Sequence, residues 1–289
     1  MDKSLLATVT EIFKPQVPLW ACELTSRHLI VAGLNSRRTQ ISDKWTMELP
    51  TGIQIAAARP QVRQALEQVG FKGSEIAVVV PDETARISFI TAENPSKTPE
   101  EQRAFIRWKL KKTVPFDVDT AQVAYRIVGP SRSGSGVDML VAVSPRSVVE
   151  EYEKLFDSLD IHAGMVLPST LAALNLFVPP VTDALFVKVA PDCITTTVFQ
   201  NRQVRFYRRV TDLPLYDAVY PTIMYYQDKL GGRSLEQFVL CGYDSDLENS
   251  VEEIQQKLEL AAQRMEPKSV DDIFKPALGA VHLKPESVL

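Results

Sequence analysis

Residues 187–210, VKVAPDCITTTVFQNRQVRFYRRV, hold three short apolar runs parted by two turn-forming clusters around PD and NR. β-Branched and aromatic residues fill the runs, and Pro, Asp and Asn punctuate them, which predicts a three-stranded meander. A hairpin of this outline grips phosphate when an acid and a glycine stand at its first turn, because glycine lets backbone N–H groups approach closely. Here Lys188 and Ala190 stand there instead.

Working outward, residues 19–48, LWACELTSRHLIVAGLNSRRTQISDKWTME, have the same rhythm, broken at TSR and NSRR. An offset of 165 residues sets Glu23 over Lys188, Thr25 over Ala190, Leu29 over Ile194 and Leu34 over Phe199, and both copies end in Leu-Pro. The sequels match too. Residues 57–69 read as a helix with Val62, Leu66 and Val69 inward and Gly70 at its end, before the buried strand EIAVVVP. Residues 216–230 read as a helix closed by Gly231-Gly232, before the strand QFVLCGY. Two similar halves follow, each a mixed sheet covered by helices.

Between them lies an insertion over 93–165. Its first helix has Thr98 as cap, Pro99 at the first position and Glu101 completing a capping box. Phe105, Trp108 and Lys112 share one face of that helix; Arg103, Arg107 and Lys111 share another. Pro115 ends it. Two strands, AQVAYRIVG and DMLVAVS, are joined by the turn PSRSGSG, and a helix over 146–159 closes the unit. A helix over 169–177 leads to the linker VPPVTD. SDLENSVEEIQQKLEL reads as an amphipathic helix and DDIFKPALGAVHL as a last one, kinked or interrupted at Pro276. At the other end, Leu5, Leu6, Val9, Ile12 and Phe13 share a helical face. The division is therefore an N-terminal helix (1–15), a first half (16–92 with 166–180), an inserted subdomain (93–165) and a second half (181–289).

A net charge of −4 argues against nucleic acid or an anionic bilayer as direct partner. Cys22, Cys193 and Cys241 sit in separate strand-like runs and read as buried thiols of a reducing compartment. His28, His162 and His282 are scattered, no Cys/His spacing suits zinc, and no apolar run reaches the roughly 20 residues of a membrane helix. Among these residues there is no Ser/His/Asp arrangement by spacing.

This order of elements resembles the actin-like ATPase fold, and within it the PilM-type type IV pilus assembly proteins, relatives of the cell-division protein FtsA. CELTS stands at the family's first meander turn, KKTVPF at the turn after the inserted helix, and HAGMVLPSTLAALNLF at the return to the first half. YPTIMYYQDKL and LCGYD stand at the second-half helix and the adenosine-side strand. The resemblance spans about 16–283. It implies an α/β, ribonuclease H-like two-lobed fold with an inserted small α/β subdomain. The subdomain that roofs the nucleotide is missing or reduced, since only TDLPLYDA separates the second meander from the next helix.

The resemblance also places the nucleotide-site positions, and they are degenerate. An acid on each meander would help hold the metal; Glu23 fills the first such position and Lys188 the second. A cation facing Mg²⁺ at ~4 Å costs about 4 kcal/mol per unit-charge pair at an effective dielectric of about 20, doubled for a divalent ion. Thr25 and Ala190 replace turn glycines, Pro191 removes a donor, and at the adenosine strand Gly242 remains while Tyr243 puts a ring where the purine would lie. The expectation is that Glu23 and Lys188 pair across an empty cleft, with no second acid at a suitable place; the alternative is Lys188 on a phosphate.

Three functions stay open on these residues. The first is a non-catalytic cytoplasmic scaffold, with no cofactor or metal. The resemblance gives it as partner the N-terminal tail of a bitopic, PilN-type inner-membrane protein, its sole link to the membrane. The tail would lie in a groove between first half and insertion, near Arg103, Arg107, Trp108, Lys111 and Phe116, the basic residues meeting acidic groups and Trp108 read first as core. A type II secretion GspL-like cytoplasmic scaffold is the near variant. The second is a working ATPase using ATP and Mg²⁺. The third is a homo-oligomeric filament subunit.

Overall fold

The computed structural model describes residues 17–38, 40–96, 98–131, 134–243 and 247–281. The helix expected over 1–15 and His282 lie outside them. The first meander forms as β1 (Trp20–Leu24), β2 (His28–Leu34) and β3 (Ile41–Glu48). A helix, α1 (Arg59–Gln68), returns the chain to β4 (Glu75–Val80), which pairs parallel to β1. The strand β8 (His162–Pro168) pairs parallel to β4 and completes a sheet of order β3-β2-β1-β4-β8.

The second lobe repeats this plan. Its meander is β9 (Ala184–Val189), β10 (Ile194–Gln200) and β11 (Gln203–Val210). Only residues 211–214 separate it from α5 (Leu215–Asp228), which leads to β12 (Gln237–Gly242), α6 (Leu247–Leu258) and β13 (Ala262–Arg264). The sheet order is β11-β10-β9-β12-β13. Register confirms the equivalence: Glu23 lies opposite Ile30 and beside Val79, and Lys188 lies opposite Thr195 and beside Cys241.

The insertion is a three-stranded antiparallel sheet of β5 (Arg86–Ala92), β6 (Gln122–Pro130) and β7 (Val137–Ser144), ordered β5-β7-β6. A helix, α2 (Pro99–Leu110), covers it through Ile106 and Leu110 against Met139, Val141 and Val143. Thr98 caps α2 by accepting from the Glu101 N–H at 3.4 Å. By strand pairing this unit begins at Arg86, seven residues before the boundary read from the sequence. The next helix, α3 (Arg146–Asp157), packs Tyr152, Leu155 and Phe156 into the first lobe and not the insertion.

Two short helices join the lobes. α4 (Ser169–Leu174) and α7 (Lys275–Val281) lie on the face of the first sheet opposite α1 and α3, with Ala172, Ala277, Leu278 and Val281 against Ala21, Ile30, Ala32 and Val79. Pro276 sits at the second position of α7, where a missing N–H costs nothing, so it opens that helix and does not interrupt one. The other side of α4 gives Ala173 and Leu174 to a cluster with Phe177, Phe186 and Phe199 of the second lobe. Phe89 of the insertion packs against that same cluster, and Arg205 of β11 faces Asp138 of β7 at 3.6 Å. The insertion thus touches both lobes.

Candidate functional site

The two meander turns face each other across the cleft between the lobes. The first is closed by Thr25, whose hydroxyl accepts from the His28 N–H at 2.7 Å and the Arg27 N–H at 3.2 Å. The second is closed by the Ala190 N–H on the Cys193 carbonyl at 2.9 Å. Ser26 of one turn donates to the Asp192 carboxylate of the other, tying tip to tip.

Behind the tips lies a buried polar cluster. Lys188 is 1% exposed, and a lysine that far from water needs a counter-charge. It finds Asp82, 3.5 Å away and also buried. Asp82 stands in the single helical turn Asp82–Thr84 after β4 and accepts from the Thr170 backbone N–H at 2.7 Å and its hydroxyl at 2.6 Å. Glu23 accepts instead from Ser169 at 2.5 Å and from the Tyr243 hydroxyl, which is itself 2.9 Å from Ser169. The Tyr243 ring lies 4.7 Å below the Lys188 ammonium and stacks on His28. Gly242 brings β12 close to β9: a Cβ there would meet the Val189 carbonyl at 3.0 Å.

Burial pushes the Glu23 carboxyl up to about 7, in spite of Lys188 and the two hydroxyl donors. Burial also opposes charge on Lys188, but Asp82 and Glu23 outweigh it and hold its pKa above the ordinary lysine value. The space left among these groups is about 10 Å³, room for roughly one water. Among the described residues no group of three His, Cys, Asp or Glu side chains is placed to hold a metal ion.

Two expectations need correction. The ion pair of Lys188 is with Asp82, and one Glu23 oxygen is bonded instead by Tyr243 and Ser169. A second acid does stand in the cleft, and it is Asp82. The available signal was its position in PDET, just past the buried strand β4, because α/β sites gather at the carboxyl ends of strands.

The residues expected to bind a partner are spread over α2 and the turn after it. Trp108 is 68% exposed, contrary to its reading as core, with the Lys109 ammonium 5.2 Å from its ring. Phe116 is half-buried against the insertion's own core. Arg107 donates to the Ala121 carbonyl at 3.2 Å, Lys111 pairs with Asp119 at 2.7 Å, and Arg103 lies 3.9 Å from Glu100. None of the five lines the groove that does run between first lobe and insertion. That groove, about 330 Å³, has on one side Val80, Thr84 and Ala85 past the end of β4 and the strand β8 up to Pro168. On the other side are Gln122 and Ala124 of β6. Ser144 of β7 donates to the Thr84 carbonyl at 2.5 Å across its end.

No family model and no curated protein matches this sequence. Solved structures match in shape. A PilM–PilN type IV pilus biogenesis complex superposes with a TM-score of 0.72 at 15% identity, over 92% of this chain and 98% of that one. A Bacteroides thetaiotaomicron protein with an actin-like ATPase fold and unknown function gives 0.61 at 12% identity, over 90% and 95%. The cytoplasmic domain of EpsL, an inner-membrane component of the type II secretion system of Vibrio cholerae, gives 0.56 at 10% identity, over 92% and 95%. At such identities the likeness is one of architecture, and it agrees with the two repeated sheets: this chain has the actin-like ATPase fold.

Proposed function

We propose that this chain is a non-catalytic scaffold of an inner-membrane pilus or secretion platform, and that it works by holding a segment of another protein. The observation that carries this reading is the filled cleft. Where the resembled fold would seat a metal-bound phosphate, Lys188 pairs with Asp82 and lies over the Tyr243 ring, Ser169 and Tyr243 donate to Glu23, and about one water's room is left among them. Mg-ATP does not fit these residues. The Lys188 ammonium would face the cation, the Tyr243 ring lies against that ammonium with its hydroxyl on Glu23, and the Ser26–Asp192 contact ties the two turns together. Seating a nucleotide would break each of these bonds and strand buried charges, at about 3–5 kcal/mol for a broken buried ion pair.

Solved structures of the same fold support the rest of the reading. One is a complex of PilM with PilN, another the cytoplasmic domain of an inner-membrane secretion component. By analogy the held segment is a cytoplasmic tail of a membrane-anchored partner, and the chain sits on the cytoplasmic side through that partner. The groove beside β8 is the place with the right form, a long apolar slot between two units. Calorimetry with Mg-ATP up to millimolar concentration tests the reading. No saturable heat is expected. Binding with a Kd below about 100 μM would favour a working ATPase in its place.

A further inference from the structure

The helix α2 has a side that neither the fold nor the groove uses. Ile106 and Leu110 face the inserted sheet. The groove is bordered by Gln122 and Ala124, which alternate with Val123 under the helix and so point to the other face of that sheet. What α2 turns to water is Phe105, Trp108, Lys109 and Lys112, three or four residues apart and therefore neighbours on one side. Trp108 is 68% exposed, and it is not a lone ring. Phe105 lies beside it with ring centres 6.2 Å apart. On the same face of the sheet, Tyr125 is half-buried and Ile127 is 51% exposed.

Charge then narrows the occupant. The net charge of −4, which argued against a bilayer, averages over an uneven chain. From Arg103 to Phe116 there are five cations, Arg103, Arg107, Lys109, Lys111 and Lys112, and no acid. Arg107 is taken up by the Ala121 carbonyl and Lys111 by Asp119. Lys109 lies over the Trp108 and Phe105 rings at 5.2 and 5.7 Å, and neither it nor Lys112 has a carboxylate partner among the described residues. Glu100 and Glu101 stand in the first turn, about two turns before Trp108. Cations near a helix C-terminus also favour its dipole, but that gives no reason for an exposed indole.

An indole framed by lysines on a convex helix suits a flat anionic surface. Such rings settle at headgroup level, with the ring dry and the N–H wet, while lysine stems lie along apolar surface and their ammonium groups meet lipid phosphates. A protein segment would want a concave seat, and the described cavities are lined by other residues. We propose that this face of α2 docks on a bilayer containing anionic phospholipid, with Trp108 in the headgroup layer and Lys109 and Lys112 on its phosphates. One ring and a few cations give marginal, reversible binding, so the contact acts as the second of two attachments when a membrane-anchored partner supplies the first. The inference goes beyond the scaffold reading and does not depend on it.

The test uses the full chain in co-sedimentation with vesicles of phosphatidylcholine mixed with phosphatidylglycerol, and of phosphatidylcholine alone. Affinity for the mixed vesicles is expected to be at least tenfold higher and to fall as salt is raised. The double variant K109E/K112E should lose at least fivefold. Brominated acyl chains in the mixed vesicles should quench part of the tryptophan emission of wild type and none of that of W108F, in which Trp20 and Trp45 remain. The three replaced side chains are exposed, and circular dichroism checks that both variants fold. No binding up to several millimolar lipid, equal affinity for the two vesicle types, unchanged affinity in K109E/K112E, or quenching that persists in W108F would each overturn the proposal. Micromolar binding of a fluorescein-labelled Glu-Leu-Glu-Leu-Glu-Leu peptide, lost in K109E/K112E, would make the face a protein-docking site and overturn it too. None of these outcomes touches the Mg-ATP titration, by which the scaffold reading stands or falls separately.

Discussion

Removing the buried cation is the sharpest probe of the cleft. In Lys188→Met the ammonium 3.5 Å from Asp82 is replaced by a thioether of similar length. At that distance the attraction is about 5 kcal/mol for an effective dielectric of about 20. Desolvation cancels part of it, and measured costs of breaking a buried pair are about 3–5 kcal/mol. Glu23 softens the loss, because its carboxyl, already raised to about 7 by burial, can take up a proton once Lys188 is gone. Asp82 keeps its two bonds from Thr170. The expected loss is therefore at the low end, about 3 kcal/mol. Adding Asp82→Asn removes the stranded charge and keeps an oxygen for Thr170, so the double variant should recover about 2 kcal/mol. Urea denaturation of wild type, both single variants and the double variant at pH 7 gives the cycle. Strictly additive effects, or a Lys188→Met variant within about 0.5 kcal/mol of wild type, would refute the account of a mutually dependent pair.

Two further outcomes follow from the same packing. Because folded Glu23 keeps a proton that the unfolded chain releases in the ordinary carboxyl range, its contribution to stability is present at low pH and lost as pH rises toward about 7. Glu23→Gln should remove that fall between pH 4.5 and 7; urea midpoints across the window check it, and identical slopes in variant and wild type would contradict it. Gly279→Ala should lower the thermal midpoint, since the new Cβ would lie 2.0 Å from the Ala172 carbonyl and force α4 and α7 apart. The cost of about 1–3 kcal/mol for overpacking exceeds the ~1 kcal/mol gained in helix propensity, and a raised midpoint would show the helices to be less close.

The repeated lobes were legible because their signal is local. Apolar runs of strand length, turn clusters and helix stops recur at one offset, and the strands form where that pattern puts them. Glu23 and Lys188 were placed in matching positions for the same reason. What the pattern lacks is anything about contacts across the chain. Asp82 reads as one polar residue in a turn until Thr170, 88 residues later, is seen to hold it beside Lys188. Tyr243 was read as a ring in the purine's place, but its hydroxyl bond to Glu23 depends on how the lobes close. β5 escaped notice because RISFITA, broken by polar Arg86, Ser88 and Thr91, is an edge strand paired on one side only among the described residues. Trp108 looked like core by residue type, yet its neighbours Ile106 and Leu110 already cover the inserted sheet and leave it facing water.

The groove and the cleft share two segments as a party wall. In one segment Thr84 and Val80 face the groove while Asp82 and Glu83 face the cleft; in the other, Pro168 faces the groove and Ser169 the cleft. The bonds from Thr170 to Asp82 rivet the two segments together. Sequence drift on this wall must satisfy two chambers at once, so its tolerance for substitution is narrower than that of either chamber's outer lining. Any replacement at Pro168 or Thr84 made to probe one chamber will register in the other, and both have to be read out together.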